Sequence, residues 1–473
     1  MAGGTWTKQN KVRPGAYINT KGTPQPKPDT SIGRTLLIGS QDLDWGAKGI
    51  TEVDTDSNFK ALFGTALADP KLLALRETLK GALTVLYLNN NDGVKAKVEE
   101  STLPWNFTAK YAGTKGNDLT ISIEKDPNDE TLITVNTIFG TEIVDQQQVR
   151  TTTAQGLESN AYVDVTFTGD NTEPVAEVTA SNGGADFSAT AGKDKLEALT
   201  ASSTYKLVGG TTEPDEITDL LDESLATEVY QVVTTAGFPI DNEIHEVVAQ
   251  AIKRLRKEDD FKARAVLPVL EGGSKYDNYG VSKVSNGVKL ANGEVIEKTY
   301  ATGYFAGASS AANYNESLTY AQYPDAVEAY PKLSNEQAIN ALNAGEIVFT
   351  SRRDGTVVIE QDINSLVTFT DDTPASFRKN RIVRTLDEIA NDTSEVFHTT
   401  FIGKVDNDPT GRDLFKANRV AYLRSLENAH AIRDFDPADL TVDAGNDKDS
   451  ILVSLAVTPV DAMEKLYMTL WVN

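Results

Sequence analysis

Residues 69–89 read DPKLLALRETLKGALTVLYLN, and they carry the first clear signature of a fold class. Asp69 suits the capping position of a helix, and Pro70 its first turn, where a missing amide proton costs nothing. The helix PKLLALRETLK is followed by LTVLYLN at 83–89, a continuous apolar run of strand length. Upstream, TLLIGS at 35–40 is a second buried strand. Strand, helix and strand in that order predict an α/β unit.

The same alternation returns between Tyr205 and about Asp362. EVYQVVTT reads as a strand. Ile244, Val247, Val248, Ala251, Ile252 and Leu255 then recur at helical spacing before the next strand, ARAVLPVL. The polar face of that helix bears Lys253, Arg254, Arg256 and Lys257, a cluster that either complements the helix dipole in solvent or meets a partner. Ser334 and Gln337 form a capping box for SNEQAINALNAG, Gly345 suits its end, and the strand EIVFTS follows.

Between about Lys97 and Ala201 the chain turns to Thr, Asp, Asn and Gly. The short alternating runs LTISIE, TLITVNTIF and YVDVTFT predict an all-β module of about 100 residues. It is either a decoration facing a host or a spacer. Residues 3–28 contain several Gly and Pro and end in PQPKP, which favours an extended path. There Val12, Tyr17 and Ile18 either fill pockets on something else or belong to a frayed terminus. From Asn364 onward come two helices, FRKNRIVRTLDEIAND and GRDLFKANRVAYLRSLENA, and then two alternating runs. Ile451, Val453, Leu455 and Val457 share one strand face; Leu466, Met468, Leu470 and Val472 share another. An apolar strand at a terminus must pair within its own fold or with a neighbour.

The chain has 473 residues, which suggests about three domains at roughly 150 residues each. Its net charge of −24 repels phosphate backbones and anionic lipid and argues against direct nucleic-acid or membrane-surface binding. There is no cysteine, so disulfides, thiolate metal sites and cysteine nucleophiles are excluded together. The start lacks the apolar core of a signal peptide and no apolar run approaches the roughly 20 residues of a spanning helix. The expectation is a chain made and folded in the cytoplasm, without membrane insertion.

Motifs for chemistry are missing. No phosphate-binding GxxxxGK[ST] or GxGxxG follows a strand; GGSK at Gly272 and the pair Gly303 and Gly307 read as turns and close packing. Asp54, Asp56 and Asn58 imitate a calcium loop, but Phe59 stands where glycine is needed. Asp406, Asp408 and Gly411 imitate another, with Ala417 in place of the bidentate acid. His245, His398 and His430 lack zinc spacing, and no GxSxG elbow is present. The expectation is a protein with no catalytic, metal or cofactor residues.

Longer stretches carry a family likeness. GGTWTKQNKVRPGAYIN at 3–19, VSNGVKLANGEVIEKTYATGYFAGASSAANYNESLTYAQY at 284–323 and VVIEQDINSLVTFT at 357–370 belong to it. So do FRKNRIVRTLDEIANDTSEVFHTTFIGKVDND at 377–408 and PVDAMEKLYMTLWV at 459–472. In wording and order they resemble the contractile-tail sheath protein of bacteriophages and phage-tail-like bacteriocins, in particular those of Gram-positive phages and defective prophages. The resemblance covers nearly the whole chain and is weakest in the Thr-rich β module.

That resemblance implies an α/β and all-β multidomain chain: a non-catalytic α/β domain called subtilisin-like for its fold, an inserted β-sandwich, an α+β C-terminal domain and extended arms at both ends. With the cuts above, residues 1–28 are the N-terminal arm, 29–96 an α/β segment, 97–200 the sandwich, 201–363 the subtilisin-like domain and 364–473 the C-terminal domain ending in a strand-donating arm. It also implies a structural subunit that polymerises as hexameric rings into a helix around an inner tail tube and contracts to drive the tube through an envelope. The partners implied are further copies of the chain, the tail tube protein, and the baseplate and tail terminator proteins. The place implied is the tail of a virion or tail-like particle, assembled in the bacterial cytoplasm. In such sheaths, arms add strands to a neighbour's sheet. Here the matching residues are Val12, Pro14, Tyr17 and Ile18, then Ile451, Val453, Leu455, Val457, Leu466, Met468, Leu470 and Val472. A sheath must also grip its tube, and the basic candidates are Arg378, Lys379, Arg381 and Arg384 with Arg412, Lys416 and Arg419; charge pairing within the domain or between sheath subunits is the other reading of these seven. The alternatives to a sheath are a hydrolase on a subtilisin-like fold and a baseplate or adhesive virion protein.

Overall fold

The computed structural model describes residues 2–4, 15–17, 32–40, 43–99, 103–129, 131–150, 156–168, 202–258, 261–272 and 276–472. Its centre is a seven-stranded sheet in the order Glu346–Ile347, Val281–Val284, Arg264–Pro268, Val232–Thr234, Arg34–Ile38, Thr84–Asn89, Gly49–Val53. All neighbours are parallel except Gly49–Val53, which runs antiparallel to Thr84–Asn89 at one edge.

Helices cover both faces, which explains why TLLIGS and LTVLYLN are apolar throughout instead of alternating. Leu36, Ile38, Leu86, Leu88 and Val233 pack with Ile244, Val248 and Ile252 of the Ile244–Glu258 helix. Leu37, Val85 and Tyr87 point the other way, toward Leu72, Leu75 and Leu79. The helix anticipated after Asp69 begins as a 3₁₀ turn, Pro70–Leu72, and continues as Leu73–Leu79, with the Asp69 carboxylate accepting from the Lys71 amide at 2.9 Å. Lys298–Ala311 lies beside it, and here Gly303 and Gly307 permit the contact. A Cβ on Gly307 would stand 2.2 Å from the Thr78 carbonyl oxygen, and one on Gly303 2.5 Å from Thr78 Oγ1. The Ser334 and Gln337 capping box is formed in full, and Gly345 takes a left-handed φ of +76° past the end of Asn335–Asn343. EIVFTS divides: Glu346–Ile347 joins the main sheet, while Phe349–Ser351 pairs with Val357–Ile359.

Between Thr84–Asn89 and Val232–Thr234 the chain leaves this sheet and builds a β-sandwich. One layer orders Glu142–Arg150, Leu132–Phe139, Leu119–Lys125 and Ser202–Lys206; the other orders Val163–Phe167, Trp105–Ala109 and Lys97–Glu99. Trp105, Phe107, Ile121, Ile123, Ile133 and Val135 fill the space between them. Trp45 enters that core from the α/β body, its indole N–H donating to the Ala61 carbonyl at 2.8 Å and its ring meeting Tyr111 edge-on at 5.5 Å. The strands of 32–89 and of 232–347 form one continuous sheet, so the sandwich is an excursion from a single body.

The remainder holds two long helices, Asn380–Val396 and Pro409–Asn428, and a small core of Ile389, Leu423, Leu426, Ala431, Ile432, Phe435 and Leu440. Two short antiparallel pairs cover it: Leu440–Ala444 with Ile451–Leu455, and Ile432–Arg433 with Thr458–Pro459. No described helix is long and apolar enough to cross a membrane.

Candidate assembly surfaces

The two alternating runs at the C-terminus meet different fates. Ile451–Leu455 pairs within its own chain, with Leu440 opposite Leu455 and Ala444 opposite Ile451. Leu455 and Val457 turn onto the C-terminal core, while Leu452 and Val453 stay exposed. Each strand of this hairpin has one partner among the described residues, so its outer edges present unpaired backbone groups. Residues 466–472 form no strand at all. Met463, Leu466, Tyr467, Met468, Leu470, Trp471 and Val472 are 68–97% exposed, a run of apolar surface far denser than the scattered exposed residues of an ordinary monomer.

Glu464 interrupts that exposure. Its side chain is only 10% exposed. One carboxylate oxygen accepts from Thr319 Oγ1 at 2.9 Å, and the other pairs with the Lys379 ammonium. Sequence reasoning missed this residue, although a signal existed: Glu464 has the parity of Leu466, Met468, Leu470 and Val472, an acid where the pattern asks for an apolar side chain.

The basic residues singled out above are mostly engaged inside the chain. Arg384 is buried and pairs with buried Asp362, also donating to the Glu316 carbonyl at 2.8 Å. Arg419 is buried against Asp392. Arg378 donates to the Leu342 carbonyl, Lys379 is held by Glu464, and Arg412 donates to Asn407 Oδ1 at 2.9 Å. A buried, paired guanidinium has no free face to offer another molecule, so Arg384 and Arg419 must be set aside as outward-facing groups. Lys416 is half-buried and Arg424 exposed, and neither makes an ion pair among the described residues. At the other terminus Val12, Pro14 and Ile18 lie outside the described residues. Tyr17 closes a three-residue strand, Gly15–Tyr17, that runs parallel to Ala2–Gly4.

Arg384 belongs to a polar junction between the α/β body and the Asn380–Val396 helix. Arg256 grips Asp387 with two bonds of 2.6 and 2.9 Å, and Asn380 Nδ2 donates to Asp362 at 2.9 Å and to the Ile363 carbonyl at 2.8 Å. Arg264 donates to Ser309 Oγ at 3.0 Å. Its burial, together with the neighbouring Arg384, brings its pKa down to about 9. Beside this junction a cavity of about 470 Å³ is lined by Ile32, Phe261, Tyr314, Arg264, Arg384 and Glu388 among others. Burial, then the nearby Asp392, pushes the Glu388 carboxyl above its ordinary range. Of the basic cluster read on Ile244–Glu258, Lys253, Arg254 and Lys257 face solvent and Arg256 turns inward.

Residues that resembled chemistry have structural duties. Asn58 caps Phe59–Phe63 and Asp408 caps Pro409–Asn428, accepting from the Gly411 amide at 2.7 Å. His245 is buried; its Nε2–H donates to the Pro239 carbonyl at 2.8 Å, which leaves Nδ1 to accept from Thr235 Oγ1 at 2.6 Å. Both nitrogens are occupied, and burial holds the imidazole below its usual pKa. Among the described residues no three His, Asp or Glu side chains are grouped to hold a metal ion.

Residues 91–215 match the phage tail sheath protein beta-sandwich domain, 209–365 the phage tail sheath protein central domain, and 372–473 the phage tail sheath C-terminal domain. The phage-like element PBSX protein XkdK of Bacillus subtilis is 34% identical over 100% of both chains. The crystal structure of a sheath tail protein from Desulfitobacterium hafniense is 32% identical, with a TM-score of 0.71 over 96% of this chain and 99% of that one. At the level of fold alone, the anti-feeding prophage helical sheath in its contracted state matches with 12% identity and a TM-score of 0.50, covering 97% of this chain and 99% of that one.

Proposed function

The chain belongs to the phage tail sheath protein family and is a structural sheath subunit, and from that premise we propose how its parts do the work. Subunits polymerise helically, as hexameric rings, around an inner tail tube in the tail of a virion or tail-like particle, after synthesis in the host cytoplasm. A baseplate signal then releases them into a shorter, wider helix that drives the tube forward. The energy comes from the difference between two sets of intersubunit contacts, with no nucleotide consumed. The α/β body of 29–96 and 201–363 is the subtilisin-like, non-catalytic scaffold; a parallel sheet with helices on both faces and a histidine with both nitrogens engaged support that reading.

The single observation that carries the proposal is the exposed apolar tail from Leu466 to Val472. Added as a strand to a neighbour's sheet, its four alternating side chains would gain roughly 6–12 kcal/mol by burial. Ordering seven residues costs roughly 7–14 kcal/mol. One donated strand is therefore marginal, and only a lattice, where each addition makes the next effectively intramolecular, holds. The open edges of the hairpin Leu440–Ala444 and Ile451–Leu455 are the acceptor this requires, with Val12 to Ile18 donated at the other end. Tube contact falls to Lys416, with Arg381 and with Arg424 on the Pro409–Asn428 helix, as salt-weakened pairs suited to release. Baseplate and terminator proteins cap the two ends of the polymer.

The test removes the arms from an otherwise intact chain. Deletion of Met1–Pro28, or truncation after Glu464, is expected to leave a folded monomer with wild-type circular dichroism that forms no tubes. Tubes of normal appearance from either variant would refute the arm assignment.

A further inference from the structure

The tail is tied to the body at one point, and that point is chemically built. Glu464 lies between Met463 and Leu466, which are 96% and 82% exposed, yet its own carboxylate is sheltered. Its two partners come from different parts of the chain: Thr319 from the α/β body and Lys379 from the entry to the Asn380–Val396 helix. Thr319 Oγ1 also accepts from the Asp362 amide at 3.0 Å. The Asp362 carboxylate in turn accepts from the Leu318 amide at 3.0 Å, from Asn380 and from Arg384. The root of the tail is thus one hydrogen bond away from the buried junction between body and C-terminal helix.

We propose that Glu464 is the fixed anchor of the C-terminal arm, staying closed on Lys379 and Thr319 while residues 465–472 are donated to a second copy of the chain. This rests on the strand-donation reading above and adds to it a positioning residue and a reach. Eight extended residues at about 3.3 Å each span roughly 26 Å, so the acceptor edge must lie within that distance of Glu464. Load on the donated strand then passes into the buried junction. Without the anchor it would fall on the two-residue strand Thr458–Pro459, which would peel.

The experiment is a charge-swap cycle on the full-length protein, reading the critical concentration for tube formation together with the thermal midpoint. Glu464→Lys and Lys379→Glu are each expected to raise the critical concentration about tenfold, the effect of losing one charge-assisted bond, with only a small fall in the thermal midpoint. The double variant carrying both substitutions should return to within about twofold of wild type, since the pair is re-formed with its signs exchanged. Assembly of Glu464→Lys at the wild-type concentration, or failure of the double variant to recover, would overturn the anchor. Truncation after Glu464 separates the two ideas: if that variant still polymerises, strand donation itself fails, whereas an anchor that fails while the truncation abolishes tubes leaves strand donation standing.

Discussion

Arg384 illustrates how much a single side chain depends on a partner that sequence does not announce. Its charge was legible, but Asp362 lies 22 positions away and Asp387 lies 131 from Arg256, and nothing local in sequence pairs residues at such separations. Read alone, a run of Arg and Lys on a helix suggests an outer surface; folding turned Arg384 inward because Asp362 and the Glu316 carbonyl wait there. Arg384→Glu would set two buried carboxylates face to face. We expect a loss of about 3–5 kcal/mol, the cost of breaking a buried pair, visible as a lower urea midpoint; Lys416→Glu should leave that midpoint in place. His245 yields a prediction in pH. Because burial depresses its folded pKa, the unfolded chain binds the proton more readily, so its contribution is full above the ordinary value near ~6.5 and is lost as pH falls through it toward the folded value. Replacing His245 by Asn should flatten the fall in melting temperature below about pH 6.5; an unchanged slope would place the proton uptake elsewhere.

At the scale of elements, periodicity and capping reached the helices and main strands because those signals are local: Asp69, Ser334 and the Ile244–Leu255 spacing each act within one turn or two. What they could not reach was partnership. Residues 466–472 alternate as well as any strand here, but alternation describes a face, and a strand exists only when another backbone completes it. The same limit hid the continuity of the sheet across the sandwich, since strands 197 positions apart become neighbours only through the fold. Gly303 and Gly307 let two helices approach closely, and the helix pair they join makes a sharp test. Gly307→Ala would push a methyl into the Thr78 carbonyl, which is backbone and cannot swing aside. We expect a loss of roughly 1–3 kcal/mol, measured by denaturant unfolding.

For the whole molecule, the charge of −24 acquires meaning only in the polymer. In the proposed polymer like-charged subunits repel one another, while the proposed tube attachment through Lys416 would be attractive; salt screens both over about 10 Å at 0.1 M. Raising ionic strength should therefore lower the critical concentration for sheath polymerisation and, in the same samples, weaken co-sedimentation with tail tubes. A common direction for the two would contradict this division of charge. The mixed α/β character of the chain and its family were within reach of the sequence, because long stretches of it keep their wording and order. The anchor at Glu464 and the inward arginines required coordinates, since each is a meeting of distant residues. The most direct measurement is negative-stain electron microscopy of the purified full-length protein as its concentration is raised. The account predicts hollow tubes with regular transverse striation, absent when residues 465–472 are removed; discrete particles of uniform size at every concentration would contradict it.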